Sequence, residues 1–247
     1  MYFFLIGNSA RLQSRISFGN WSLMLNLVPL SSLLQLLSYL SGKMFTFPQQ
    51  TSTTEVRFTT QRQDMRAVTV CLRSFTDLKR EHSLFSLALP TGANGFLIIK
   101  SAQSDAFDIW VREQHVKIEA QDFKLNMWQS ICATWDASSG LIQLWLNGKP
   151  SSKKYTSSGH SINGPMIIVL GQDQDSYGGG FDTKQSFQSF VGMMEDVHMW
   201  DYTLSPCEIQ GYMDEHYYPE GNVLNWNSVE FQSVGRVLIE EKLRACN

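Results

Sequence analysis

From Phe45 onward the sequence is a succession of short apolar runs, rich in Val, Ile, Phe and Trp, cut by Gly, Asn, Asp and Ser. This punctuation constrains the fold more than any other feature, because runs of four to eight residues suit strands and are short for helices. Strands are predicted at 56–60, 67–73, 83–88, 96–100, 107–111, 116–119, 128–135, 141–146, 166–170, 192–200, 223–226 and 236–240. The run 141–146 leads into Asn147-Gly148, a strong hairpin-turn pair. Many short strands at this spacing predict an all-β, antiparallel two-sheet sandwich. One short α-helix is signalled by Ser205-Pro206-Cys207-Glu208: a capping Ser, a Pro at the first helical position and a Glu at the third. It is predicted to run to about residue 215, before Pro219. No repeat or linker divides residues 43–247, which read as one domain.

The first 42 residues differ in kind. They hold Arg11 and Arg15 and no acidic residue, and 25–40 is leucine-rich but interrupted by Asn26, Pro29 and several Ser. That stretch is too short and too polar for a membrane span, which needs about twenty mostly apolar residues. With Ser41 and Gly42 behind it, it reads as a secretory signal, with translation expected to begin at Met24. The expected protein is therefore secreted and not membrane-spanning. Without this leader, 18 basic residues face 23 acidic ones, a balance that argues against a nucleic-acid partner.

Four cysteines follow Gly42: Cys71, Cys132, Cys207 and Cys246. An even count in a secreted chain suggests disulfides, although sequence alone allows three pairings. Cys71 and Cys132 both lie inside predicted strands, which favours a bridge between neighbouring strands over two buried thiols. Closing a loop of about sixty residues would stabilise by about 4 kcal/mol in the chain-entropy picture. Cys207 opens the helix and Cys246 is next to the chain end; a tail-to-helix bridge, an intersubunit disulfide and two free thiols are the alternatives.

The candidate chemistry is concentrated in Gly171-Gln172-Asp173-Gln174-Asp175-Ser176-Tyr177-Gly178-Gly179, followed by Asp182 and Gln185. Carboxylates repel one another, so a fold that gathers them needs a cation. Oxygen-only donors on a glycine-bearing loop suit Ca²⁺, whereas the sulfur and imidazole of zinc sites are missing here. A solvated acidic turn is the plain alternative. Enzymatic readings find little: His82, His115, His160, His198 and His216 belong to no recognisable catalytic motif. Glu195 and Asp196, adjacent on a strand, are expected to point to opposite faces and so not to form a glycosidase-like pair.

Taken together, Cys71 and Cys132, the motif Ile131-Cys132-Ala133-Thr134-Trp135, the loop 171–179 and the run Met199-Trp200-Asp201-Tyr202-Thr203-Leu204-Ser205-Pro206 resemble the pentraxins. The resemblance spans about 45–240; Ser130 stands where the family signature has His. It implies a lectin-like jelly roll that assembles as a flat cyclic homo-oligomer, usually a pentamer, acting in innate immunity. Two Ca²⁺ ions per protomer would hold phosphocholine, phosphoethanolamine or anionic carbohydrate on one face. The helix face would meet complement or Fc-receptor partners. Residue by residue, the implied metal ligands are Asn94, Asp173, Gln174 through its backbone carbonyl, Asp175, Asp182 and Gln185. Ala93 replaces a family Asp, so the first ion site is expected to be weakened. Ile99 and Tyr177 are the implied ligand contacts. A pentraxin with a decayed calcium site, acting only as an oligomeric protein-binding module, is the alternative implied by Ala93.

Overall fold

The computed structural model describes residues 40–103, 105–181 and 188–242. Two antiparallel sheets face each other. The first runs in the order β10(Lys149–Pro150), β9(Leu141–Leu146), β8(Gln129–Asp136), β3(Ala67–Phe75), β13(Gly192–Trp200), β1(Lys43–Phe47), β16(Leu238–Glu241). Two short strands join it, β11(Lys154–Tyr155) on β9 and β14(Leu224–Asn225) on β13. The second sheet runs β15(Phe231–Val234), β2(Glu55–Thr60), β12(Met166–Leu170), β4(His82–Leu89), β5(Gly92–Lys100), β6(Phe107–Val111), β7(Gln114–Ile118). This is the antiparallel two-sheet sandwich expected from the strand pattern, in the jelly-roll form that the resemblance implies.

Alternation along the strands builds the core. Val70 and Leu72 of β3, Ile131 and Ala133 of β8, Phe85 and Leu87 of β4 and Ile168 and Leu170 of β12 share one buried cluster between the sheets. The intervening residues point outward and define the two outer faces. On the outer face of the first sheet, Cys71, Cys132, Trp145 and Trp200 pack under Leu204, Ile209, Tyr212 and Met213. Those last three belong to the helix α1(Pro206–Met213), whose Ser205–Glu208 capping box is formed as expected. The helix stops short of the predicted end because Glu215 takes a left-handed backbone, φ 55°. Cys71 and Cys132 are direct cross-strand partners and form a disulfide with their Cα atoms 4.1 Å apart.

Two strand readings need correction. The segment expected at 223–226 forms a strand only at Leu224–Asn225, and β1, β10, β11 and β15 pair where none was predicted. Glu195 and Asp196 do not diverge to opposite faces. The register with β3 shifts between Glu195 and His198, and Asp196 has φ 51°, the mark of a bulge. Both carboxylates consequently meet Lys242, at 3.3 and 2.7 Å from its Nζ, and Asp196 lies 3.4 Å from Arg73. They are an ion-pair network against the helix side of the sandwich rather than a cleft.

Candidate metal centre

The acidic loop lies on the outer face of the second sheet, across the sandwich from α1. Gly171 begins it with φ +90°; a Cβ there would stand 2.5 Å from the Phe47 ring, so only glycine lets the chain turn off β12 at that point. Gln172 then donates to the carbonyls of Thr51 and Thr54 at 2.7 and 3.0 Å. Gln174 donates through Nε2 to Ser86 and to the Ile167 carbonyl, and its Oε1 accepts from the Gly178 N–H at 3.0 Å. Arg57, paired to Glu55 at 2.7 Å, donates to the Gly178 carbonyl at 2.8 Å. Both carboxamides of 171–179 are thus structural. Gln174 is 1 % exposed, and with its side chain committed it can offer a cation only its backbone carbonyl.

Asp173 is held between these two anchors. It is 7 % exposed, and its Oδ1 has no hydrogen-bond partner, an arrangement that is costly for a buried carboxylate. Burial, and then the charges of Asp175 and Glu81, push its pKa up to about 7; Glu113 adds to the push and the Gln174 backbone N–H opposes it. The residues whose charges act most strongly on Asp173 are therefore all acidic. Asp175 is exposed beside it.

Asn94, on β5, is tied to Glu113, whose charge acts on Asp173. Its backbone N–H donates to Glu113 Oε1 at 2.7 Å and its Nδ2 to Glu113 Oε2 at 2.8 Å. Glu113 occupies the two-residue turn between β6 and β7. Ala93 is half-buried next to Asn94. Ile99 is 4 % exposed, whereas Tyr177 is 40 % exposed, so only the tyrosine offers a broad surface to a ligand. Further out on the same face, half-buried Trp110 lies 4.8 Å from the ring of His115, which pairs with Asp108 at 2.8 Å. A cavity of about 530 Å³ opens beside Asn94 and Glu113 and is also lined by Arg66, Arg112 and His160.

Asp182, Gln185 and Cys246 lie outside the described residues. Among the described residues no three His, Cys, Asp or Glu side chains form a ready-made metal cluster. Cys207 is exposed and carries a free thiol. The donors that are present fit Ca²⁺: they are oxygens only, they gather negative charge, and Asp173 keeps a buried oxygen without a partner. Glu81 and Glu113 were not among the expected site residues. Glu81 comes to Asp173 from the start of β4 and Glu113 from a turn, and no local sequence pattern links either position to the loop.

A two-sheet jelly roll with an oxygen-donor loop on one face and a helix on the other defines a lectin-like binding protein rather than an enzyme. The family described as the Pentaxin family matches residues 43–241, and the chain belongs to the pentraxins. It is 37% identical over 194 residues to jeltraxin of Lepidobatrachus laevis, covering 78% of this chain and 84% of the relative. It is 36% identical over 205 residues to serum amyloid P-component of Mesocricetus auratus, covering 82% and 85%. Among solved structures, the heptameric SAP-like pentraxin of Limulus polyphemus superposes with a TM-score of 0.73 at 25% identity, covering 81% of this chain and 95% of that one.

Proposed function

We propose that this pentraxin is a secreted pattern-recognition protein that binds anionic or zwitterionic headgroups on cell surfaces through Ca²⁺ held on the loop face. The observation that carries the reading is Asp173: a buried carboxylate with an unpartnered oxygen, surrounded by Asp175, Glu81 and Glu113. Such a group is stabilised by a cation and destabilised without one. Asp173, Asp175, the Gln174 carbonyl and the Asn94 carboxamide would supply protein oxygens, with Asp182 and Gln185 completing the set. Ca²⁺ held there would offer its remaining coordination to a ligand's phosphate or carboxylate oxygens, the donors a hard cation prefers.

Arg66 and Arg112 line the adjoining cavity alongside Glu113 and would meet a ligand's negatively charged group there. Phosphoethanolamine, phosphocholine and acidic sugars all carry the required oxygen anion. Tyr177 would pack against whatever projects from it. Cyclic homo-oligomerisation would present several such faces at once and multiply weak affinities into avidity. The ring would be a pentamer, with the helix face left open to complement or Fc-receptor partners.

Retention of the purified protein on immobilised phosphocholine and phosphoethanolamine, first with millimolar Ca²⁺ and then with chelator, tests the reading. Calcium-dependent capture released by chelator supports it. Absence of capture on either resin favours a pentraxin that acts only through protein contacts.

A further inference from the structure

The β6–β7 turn supplies a carboxylate that the acidic loop does not contain. Arg112 and Glu113 both have positive φ, 50° and 64°, a backbone that Glu seldom adopts and that such two-residue turns normally give to Asn or Gly. The turn aims Glu113 at Asn94, and both carboxylate oxygens accept hydrogen bonds from that one residue. Gly92 makes the approach feasible, since a Cβ at that position would lie 2.6 Å from Glu113 Oε1. Two consequences follow for Asn94. Its Nδ2 is fixed on Glu113, so its Oδ1 must point elsewhere. Its neighbour Ala93 contributes no charge, yet a carboxylate stands beside it all the same. Independently, Asp173 keeps a buried oxygen without a partner and feels the negative charge of Glu113.

We propose that Glu113 is a positioning residue of the cation site, which orients Asn94 with its carboxamide oxygen toward the metal and supplies the negative charge that Ala93 cannot. The inference rests on the calcium reading above and adds to it a residue from a different strand pair. A glutamine at 113 would present only one acceptor to two donors. Asn94 would then have to turn its oxygen toward the new Nε2 and away from the metal, and one negative charge would be lost.

Calcium titration calorimetry on the full chain at neutral pH tests this with three proteins: wild type, Glu113→Gln, and Ala93→Asp in the Glu113→Gln background. Glu113→Gln is expected to weaken calcium binding about ten- to a hundredfold, the range of outer-shell substitutions at metal sites. Its midpoint of thermal unfolding in chelator should not fall, because a repelling carboxylate has been removed. Ala93→Asp should restore part of the affinity, by returning the charge from the adjacent position but not the Asn94 oxygen. Wild-type affinity in Glu113→Gln would overturn the inference while leaving the calcium reading intact, and so would failure of Ala93→Asp to restore binding. If wild type itself takes up no calcium, the calcium reading falls first and this inference with it.

Discussion

The Gln174 carboxamide nitrogen donates to both the carbonyl and the hydroxyl of Ser86, at 3.0 and 3.3 Å, tying the acidic loop to the outer face of β4. The Gln174 backbone N–H reaches the same hydroxyl at 3.2 Å, so one serine fixes both the side chain and the main chain beside Asp173. Replacing Gln174 with Leu leaves buried acceptors unpaired, which costs about 1–3 kcal/mol. The expected result is a lower denaturant midpoint together with a larger calcium dissociation constant. Urea unfolding and calcium titration on the one variant check both.

Asp173 gives a pH dependence with a definite sign. Burial, then Asp175 and Glu81, raise its folded pKa to about 7 from the ordinary 3.8. The unfolded chain therefore releases this proton first, and without calcium the associated stability is full below about pH 4 and lost as pH rises through about 7. At about 1.36 kcal/mol per pKa unit the loss is on the order of 4 kcal/mol. Asp173→Asn should remove this loss, raising the thermal midpoint in chelator at pH 8 while abolishing the response to calcium. Midpoints of the two proteins across pH 4–8 in chelator test the sign directly.

Two histidines act in the opposite direction. Burial lowers His82 and His198 to about 4, below the ordinary 6.5; both are fully buried, His82 against the Phe190 ring and His198 against Trp200, Tyr212 and Tyr218. Stability that depends on their neutral form is present above pH 6.5 and lost as pH falls toward 4, at about 3 kcal/mol for each. The calcium-loaded protein is therefore expected to lose stability steeply between pH 6.5 and 4. His198→Gln should flatten part of that slope, as read by denaturant midpoints at pH 7 and pH 5.

The disulfide joins β3 and β8 under the helix, where Cys71 and Cys132 pack with Trp145, Trp200 and Tyr212. Replacing both cysteines with Ala should cost about 2–5 kcal/mol. The helix face should suffer first, because it rests on that cluster. Urea unfolding followed by tryptophan fluorescence checks the size of the loss.

Much of the sandwich was legible because its strands announce themselves twice, by β-branched runs and by the turn residues between them. The segments Phe107–Val111, Leu141–Leu146, Met166–Leu170 and Gly192–Trp200 begin and end where the pattern said. Strands such as Lys154–Tyr155 and Phe231–Val234 were not legible, since their pairing comes from neighbours rather than from their own composition. The bulge at Asp196 defeated strict alternation and brought Glu195 and Asp196 to one lysine. The candidate site was legible where it is local, in Asp173, Gln174 and Asp175. It was not legible where the fold brings in distant groups: Glu81 and Glu113 reach Asp173 only because β4, β5 and the β6–β7 turn lie side by side. Gln172, which stands next to Asp173 in the sequence, serves the backbone of the segment before β2.

A cation held by Asp173 on the folded protein is read from the thermal midpoint of the purified chain at neutral pH, in millimolar Ca²⁺ and in chelator. A cation that binds only the folded state stabilises it by RT ln(1 + [L]/Kd), about 2.7 kcal/mol at a hundredfold excess over Kd. The midpoint should be several degrees higher in calcium, an increase reversed by chelator and absent in Asp173→Asn. Identical midpoints in the two buffers would contradict it.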